Sequence, residues 1–283
     1  MPESGENDAR ALKALRERID DVDARIHRLL IERGTVIEAL IRTKGTSRPG
    51  AAFRPMREAE MMRALVARHG GVLPLATLEH IWHEIITTFT RMQAPFNVAV
   101  DVSLDAERIR DLARFVFGFS VDVMAVDGAG AVVAQVAAKG DLGLVPRKAR
   151  GAWWQALAKP RAPRIMALVP FIQGDARRAD LPAFVISPPL TDETPADLVA
   201  LAATVEGPFR HAADVEILAT AVVEGKTEVL LAASAGAPVA DRLQQAGVKV
   251  RGLTAVGGFA RGIAIKGAST LLYRAVERSG EPA

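Results

Sequence analysis

The stretch that decides the fold of the first third of the chain is ARALKALRERIDDVDARIHRLLIERGTVIEALIRTK, residues 9–44. Its apolar residues recur at alternating intervals of three and four, the spacing of one face of an α-helix. They are Leu12, Leu15, Ile19, Val22, Ile26, Leu29, Val36 or Ile37, and Leu40. No proline or glycine interrupts the pattern before Gly34. The sequence therefore predicts one helix over residues 9–44, about 50 Å long at 1.5 Å per residue.

The length of this helix also predicts a dimer. Such a helix would extend past any core that the following fifty residues could build. We therefore expect a second copy of the chain to pack along it.

Two shorter helices follow in the sequence. After a loop at residues 46–54, Pro55 is well placed to begin the second helix, which ends at Gly70-Gly71. A third helix begins near Pro74 and is stopped by Pro95. Its apolar face carries Leu78, Trp82, Ile85 and Phe89.

Two histidines in the third helix raise the question of a metal site. His80 and His83 lie beside Glu79 and Glu84, but they lack the His-Glu-x-x-His spacing of a zinc protease. We interpret them as polar residues on the outer face of an amphipathic helix, and we predict no metal site.

Four polar residues fall on apolar helix faces. Arg33 continues the series of Ile26 and Leu29, and the other three are Lys44, Glu58 and Gln93. Each one alone can be a long side chain that reaches water from a helix end. Together, two cations, a carboxylate and an amide inside a helical bundle indicate a site for a small anionic ligand.

The spacing of these residues resembles the all-helical (AroQ) class of chorismate mutase, over about residues 9–95. The resemblance is carried by Leu15-Arg16-Glu17-Arg18-Ile19-Asp20, Asp23, Ile26, Leu29-Leu30, Glu32-Arg33, Lys44, Pro55-Met56-Arg57-Glu58 and Gln93. It implies an intertwined homodimer of three-helix domains that converts chorismate to prephenate.

The resemblance also implies a role for each matching residue. Arg16 reaches into the partner's pocket and, with Arg33, holds the two carboxylates of chorismate through bidentate hydrogen bonds. Lys44 and Gln93 donate to the ether oxygen as the carbon–oxygen bond breaks, and Glu58 holds the ring hydroxyl.

Two further arginines are assigned to substrate binding by the same resemblance. Arg57 supports the site, and Arg54 stands where the family often has an acid. Phe89 replaces a small hydroxyl residue of the family.

The rearrangement needs no nucleophile, metal or cofactor, but it needs an oriented substrate and positive charge at the ether oxygen.

The rest of the chain is predicted to be an α/β region, because short segments with a β-strand pattern alternate with helical stretches. The first runs are residues 121–126, 142–145, 165–169 and 183–186. The order of segments and the sequences at 97–100, 115–118, 140–146 and 181–186 resemble a weakened prephenate dehydratase.

The groups that a dehydratase uses are replaced. Arg147, Lys148 and Ala149 stand in place of the Glu-Asn-Ser of that family. Its Thr-Arg-Phe triplet reads Pro182-Ala183-Phe184, which removes the hydroxyl expected to assist the leaving group. The resemblance therefore implies a binding or scaffolding region without dehydratase activity.

The last third of the chain has two interpretations. Runs at residues 198–205, 215–223 and 228–233, a helix at 238–246, and runs at 248–256 and 263–265 match an ACT-like βαββαβ unit with little of its first helix. They equally match the second lobe of one α/β domain. We interpret the glycine-rich residues 257–262 as a turn between two strands and not as a phosphate-binding loop.

Composition excludes several classes of protein. The 283 residues carry a net charge of +3 with acids and bases interleaved, so no nucleic-acid surface is predicted. Cysteine is absent, which excludes disulfides and thiolate chemistry. No segment has the length and apolarity of a membrane span or the pattern of a targeting sequence, and we expect a cytoplasmic protein.

The sequence thus predicts a multidomain protein. Its parts are an all-α mutase domain at residues 1–96, a degenerate dehydratase-like α/β region at 97–190, and an ACT-like or second α/β lobe at 191–283. The predicted function is that of a chorismate mutase without a cofactor. The alternatives are a bifunctional chorismate mutase/prephenate dehydratase, and a non-catalytic protein that senses an aromatic amino acid through its C-terminal region.

Overall fold

The computed structural model describes residues 3–44, 52–70, 72–174, 180–190, 194–206 and 212–265. The chain divides into two compact units, residues 1–46 and residues 47–283. Most of the predicted loop at residues 46–54 lies outside the described residues.

The first unit contains a single helix, α1 (Glu3–Lys44). The prediction of one long helix is confirmed, and the helix begins six residues earlier than the apolar pattern indicated. Ion pairs one turn apart, Lys13 with Glu17 and Arg42 with Glu38, stabilise its surface. Its apolar face is 42% to 63% exposed at Leu12, Leu15, Ile19, Val22, Ile26 and Leu29.

The second unit begins with two helices, α2 (Pro55–Arg68) and α3 (Leu75–Gln93). Both follow the prediction, and Pro55 occupies the first turn of α2, where its missing N–H costs nothing. The apolar faces of these helices are buried with side chains from the α/β part of the same unit. The shared cluster contains Met56, Ala59, Met62, Leu65, Leu75, Ala76, Phe171, Ile172 and Ala260.

A nine-stranded sheet forms the centre of the second unit. In chain order its strands are β1 (Val98–Asp101), β2 (Val123–Val126), β3 (Leu142–Pro146), β4 (Arg164–Val169), β6 (Ala183–Ser187), β7 (Leu198–Glu206), β8 (Val215–Val223), β9 (Lys226–Ser234) and β10 (Lys249–Phe259). Their order across the sheet is β2-β1-β3-β6-β4-β10-β7-β9-β8. A separate parallel pair joins β5 (Ile172–Gly174) to β11 (Ile263–Ile265). The predicted α/β class is confirmed.

The first half of the sheet is built from βα units. Strand β1 pairs in parallel with β2 and β3, and α4 (Ala106–Phe117) and α5 (Ala129–Lys139) make the crossovers that parallel strands require. Val98 and Val100 pack with α4, whereas Ala99 packs with α5 and the 3₁₀ helix Trp153–Ala158. Because alternate residues enter different clusters, helices cover both faces of β1.

The second half of the sheet is antiparallel. Strands β7 to β10 adopt the order β10-β7-β9-β8, and α6 (Val239–Gln245) lies between β9 and β10 in the chain. Strand β10 also pairs in parallel with β4, through Gly257 and Ile165. Strands from both predicted α/β regions, 97–190 and 191–283, thus share one sheet. A boundary between these regions near residue 190 stays a prediction.

The glycine-rich segment at residues 257–262 corrects a prediction. Gly257 and Gly258 belong to β10 together with Phe259, so the interpretation as a turn is wrong for these three residues. Gly257 has φ of 150°, and a Cβ atom there would lie 2.1 Å from the carbonyl oxygen of Ile165. The glycine permits the close approach of β4 and β10, which no local pattern in the sequence reveals.

Candidate functional site

Three of the predicted site residues lie on α1. Arg16 is exposed and Arg33 is half-buried, and burial lowers the pKa of the Arg33 guanidinium. Lys44 is the last residue of the helix. Arg16 and Arg33 are 17 residues apart on one continuous helix, which separates them by about 25 Å. The two guanidinium groups of one chain therefore cannot hold the same small ligand.

Glu58 lies in the first turn of α2 and is held by a histidine of α3. His83 Nδ1 is 2.8 Å from Glu58 Oε1, and His83 Nε2 is 3.6 Å from Oε1 of Glu79, one turn earlier on α3. His83 is 3% exposed and Glu79 is fully buried. The structure thus groups the half-buried Glu58 with the buried His83 and Glu79.

This cluster overturns our interpretation of the two histidines of α3. His83 does not lie on an outer face, and His80 stacks on the ring of Phe115 in α4, with 5.2 Å between ring centroids. The reason is that α3 packs against α2 on one side and α4 on the other. A helix that is covered on two sides buries polar residues that the sequence pattern alone assigns to water.

The surroundings of His83 change its proton affinity. Burial lowers the pKa of His83, but hydrogen bonds and negative charge from Glu58 and Glu79 outweigh it and raise the pKa to about 9. At neutral pH the ring is therefore an imidazolium that donates a hydrogen bond to Glu58.

Gln93 lies at the other end of α3. Its Nε2 donates to the backbone oxygen of Phe89, at 3.0 Å. Ten residues separate it from His83, or about 15 Å along the helix axis. The structure does not bring Gln93 into contact with Glu58.

The remaining predicted residues, Arg54 and Arg57, lie at the start of α2. Both line a cleft between this helix and the sheet, and Arg164 of β4 lines the same cleft. Sequence reasoning missed Arg164, because its place beside α2 depends on strand packing and not on a motif.

Sequence reasoning also missed an ion pair that fixes α2 to the α/β part of the second unit. Arg63 Nη2 lies 2.5 Å from Asp197 Oδ2, which also accepts a hydrogen bond of 2.8 Å from the backbone N–H of Arg261. Partial burial raises the pKa of Asp197, but the hydrogen bonds from Arg261 and Arg63 outweigh it and lower the pKa. The partners are 134 residues apart in the chain, so no sequence spacing could reveal them.

The positions compared with a dehydratase come together in a small pocket. Arg147, Lys148 and Pro182 line it with Arg108 of α4. Arg147 Nη2 donates to Glu216 at 2.8 Å, and Arg108 is paired with Asp180. Two of the three cations of this pocket thus have carboxylate partners.

Within the described ranges, no three His, Asp or Glu side chains are grouped so that they could hold a metal ion. No helix of those ranges is both long enough and apolar enough to cross a membrane.

Comparison with known proteins identifies the N-terminal segment. Residues 15–94 match the family model for chorismate mutase type II. Over this segment the chain is similar to chorismate mutases of that family. The resemblance predicted from Arg16, Arg33, Lys44, Glu58 and Gln93 is therefore confirmed at the level of the family.

Two curated relatives each match about a third of the chain. A bifunctional chorismate mutase/prephenate dehydratase of Stutzerimonas stutzeri is 33% identical over 97 residues, which are 33% of this chain and 27% of the relative. A protein of the same description from Neisseria gonorrhoeae is 33% identical over 84 residues, 30% of this chain and 22% of the relative. The chain thus matches about a quarter of the length of these relatives.

One solved structure resembles the chain weakly. A prephenate dehydratase from Streptococcus mutans aligns with 60% of this chain and 100% of its own length, with a TM-score of 0.36 and 11% sequence identity.

Proposed function

We propose that the protein is a chorismate mutase, an isomerase that converts chorismate to prephenate in the biosynthesis of aromatic amino acids in the cytoplasm. The observation that carries the proposal is the match of residues 15–94 to the chorismate mutase family. The functional positions of that family fall within the matched segment.

In the proposed mechanism, the ether carbon–oxygen bond of chorismate breaks while a new carbon–carbon bond forms in the same molecule. No proton is transferred and no covalent enzyme intermediate forms. Arg33 and the partner's Arg16 hold the two carboxylates and fold the substrate into its reactive conformer. Lys44 and Gln93 donate to the ether oxygen, where negative charge grows, and each such donor is worth about 3–4 kcal/mol.

The geometry of Glu58 suits a role at the ring hydroxyl. His83 fixes the carboxylate through Oε1, at 2.8 Å. A carboxylate accepts hydrogen bonds through both oxygens, so Oε2 can accept one from a substrate.

The geometry of Gln93 is compatible with donation to the ether oxygen. Its amide nitrogen carries two hydrogens, and one of them points to the Phe89 carbonyl. The second is available to a ligand at the end of α3.

The proposed assembly is a homodimer through α1. The exposed apolar face of this helix, from Leu12 to Leu29, supports the proposal, because a second copy would cover it. An antiparallel pair of these helices under two-fold symmetry would place Arg16 of one chain near Arg33 of the other. We propose that each active site is shared in this way.

The direct test is to incubate the purified full-length protein with chorismate and to measure chorismate loss and prephenate formation. The Arg33→Ala variant, verified as folded by circular dichroism, is the matched control and should lose nearly all turnover. A folded dimer of the natural sequence without detectable turnover would refute the proposal. It would favour a non-catalytic protein instead.

A second candidate function is suggested by the relatives, which are described as bifunctional. We propose that this chain lacks the dehydratase step, because Pro182 offers no hydroxyl and Arg147 is engaged by Glu216. Supplying prephenate and assaying phenylpyruvate distinguishes the two functions. Phenylpyruvate formation above the uncatalysed rate would establish the bifunctional alternative.

We propose further that the strands β7 to β10 with α6 bind an aromatic amino acid as an effector. The order of these elements, with one helix between β9 and β10, supports an ACT-like unit. Phenylalanine and tyrosine should then change the rate of chorismate turnover in the full-length protein. Unchanged rates at saturating concentrations would contradict this role.

A further inference from the structure

Arg63 of α2 meets the sheet at the place where strands β7 and β10 begin or end. Its Nη2 lies 2.5 Å from Asp197 Oδ2 and donates to the backbone oxygen of Arg261 at 3.1 Å. Asp197 directly precedes β7, and Arg261 follows the end of β10 by two residues. We term these three residues the α2 clamp.

The sheet side of the clamp is fixed by hydrogen bonds of its own. The backbone N–H of Arg261 donates to Asp197 Oδ2 at 2.8 Å. The backbone oxygen of Asp197 accepts from the N–H of Ala235, the residue after β9, at 3.1 Å. Strand β7 pairs here with both β9 and β10. The clamp therefore attaches α2 to a point that three strands define.

The clamp adds direction to the packing of α2. The buried face of this helix packs in an apolar cluster, in which Met62 lies with Phe171 and Ala260. Apolar burial is not directional, whereas charge-assisted hydrogen bonds require a particular donor and acceptor geometry. The clamp therefore defines the rotation and position of α2 more sharply than the cluster alone.

Phe171 connects the clamp to the surroundings of Glu58. The guanidinium of Arg63 lies over the Phe171 ring, 5.4 Å from its centroid. Phe171 also lines a cavity of only about 40 Å³ together with Glu58 and His83. Because packing at this place leaves so little space, a displacement of α2 would change the position of Glu58 relative to His83.

We propose that Arg63 and Asp197 are positioning residues for the mutase reaction, because they hold α2 where Glu58 can meet the substrate. The proposal rests on the function proposed above for Glu58. Neither clamp residue touches the substrate in that mechanism, and both act through Glu58. A displacement of about 1 Å in a binding group can lower turnover about a hundredfold. The sheet would thus contribute to a reaction whose assigned groups lie on helices.

The first test measures kcat/KM for chorismate in the full-length protein. Arg63→Gln and Asp197→Asn should each lower it about tenfold or more, and the double variant should lose no more than one of them, because both remove the same interaction. Arg63→Lys keeps the charge and should retain part of the activity. The Arg63 and Asp197 side chains are 37% and 38% exposed, so these variants should still fold.

Arg68→Gln is the matched control for Arg63→Gln. Arg68 has the same charge and lies on the same helix, but its guanidinium lies over the ring of Trp82 in α3. The control should keep the natural kcat/KM. Equal kcat/KM in Arg63→Gln and Arg68→Gln would overturn the proposal.

Glu58→Ala shows whether the clamp acts through Glu58. In that background Arg63→Gln should cause no further loss of kcat/KM, since the group that the clamp positions has been removed. A further tenfold loss in the double variant would assign Arg63 to another role and refute its action through Glu58.

Titration of His83 by nuclear magnetic resonance follows the same displacement without turnover. Glu58 and Glu79 raise the pKa of His83 to about 9, and His83→Gln identifies its signal among the five histidines. In Arg63→Gln the titration midpoint should fall towards the ordinary value of 6.5, whereas Arg68→Gln should leave it unchanged. Absence of turnover in the natural protein would refute the mutase function. Normal turnover with an unchanged His83 midpoint in Arg63→Gln would refute the clamp alone.

Discussion

At the scale of single residues, the pair of His83 and Glu58 makes stability depend on pH. The pKa of His83 in the folded protein is about 9, above the ordinary histidine value of 6.5. A group whose pKa is raised by folding stabilises the protein fully below its unfolded pKa, and the stabilisation is lost as pH rises through the folded value. The free energy of unfolding should therefore fall between pH 6.5 and pH 9.5.

His83→Gln is the matched variant for this prediction, because glutamine can still donate to Glu58 but does not titrate. The free energy of unfolding should be measured for both proteins by urea unfolding across this pH range. It should fall by about 2–3 kcal/mol more in the natural protein than in the variant. Parallel profiles would mean that His83 is neutral throughout.

At this scale, sequence reasoning can single out a residue that departs from the pattern of its own helix, and the role predicted for that residue stays a prediction. Arg33 and Glu58 stood out because each interrupts an apolar stripe. Sequence reasoning failed for His83, since the burial of that ring requires α4 to cover α3. An apolar repeat of 3.6 residues identifies one buried face of a helix. It does not show whether a second face of the same helix is also buried.

At the scale of elements, Gly257 is required for the contact between β4 and β10. Gly257→Ala would place a methyl group 2.1 Å from the oxygen of Ile165, and the strands would have to separate. Gly252→Ala, in the same strand, is the matched control. Its φ is 66° and a Cβ atom there meets nothing within 4 Å, so it tests backbone strain alone.

Chemical denaturation should show Gly257→Ala to be less stable than Gly252→Ala by at least about 2 kcal/mol, the effect of a steric clash in a packed region. Equal losses of stability in the two variants would mean that the strands tolerate the methyl group and that only the positive φ destabilises them.

Most elements were predictable because their patterns are local. Strands β8 and β11 match the predicted runs 215–223 and 263–265. Helix α2 begins at Pro55, and α3 begins one residue after Pro74. The end of β10 was not predictable. A pair of glycines normally indicates a turn. Gly257 and Gly258 lie in a strand because β10 pairs with β4, which is about 90 residues earlier in the chain.

At the scale of the whole molecule, the proposed shared site predicts complementation. Arg16→Ala and Arg33→Ala chains should each be inactive, and mixing them should restore about a quarter of the natural activity. Random exchange makes about half of the dimers mixed, and one of their two sites has both arginines. Native mass spectrometry verifies the exchange, and no recovery after it would place Arg16 outside the partner's pocket.

The predicted mutase domain, residues 1–96, can be tested as a fragment. In the second unit, Met62, Leu65 and Leu75 are buried with Phe171 and Ile172, which the fragment lacks. We expect it to have less helix than these residues have in the full chain, to aggregate and to turn over chorismate poorly. A stable dimeric fragment with full activity would instead show that α2 and α3 can replace these contacts with contacts among helices.

The overall topology was only partly predictable from the sequence. The α/β class follows from alternating patterns, but the junction of β4 with β10 joins residues from both halves of the region. Loop closure over such distances leaves no periodic signal. For the same reason the cleft with Arg164 could not be predicted, although Arg54 and Arg57 were already singled out.

The placement of the tryptophans has a consequence for optical spectroscopy. Trp153 and Trp154 pack edge to face in the sheet core with ring centroids 5.7 Å apart, and Trp82, the third and last tryptophan of the chain, lies on α3. All three belong to the second unit. Intrinsic tryptophan emission therefore reports the loosening of that unit, whereas α1 contributes to the far-ultraviolet helical signal but carries no indole. If the two signals were followed through one denaturant titration, any interval between their midpoints would measure how far the long helix melts independently of the sheet.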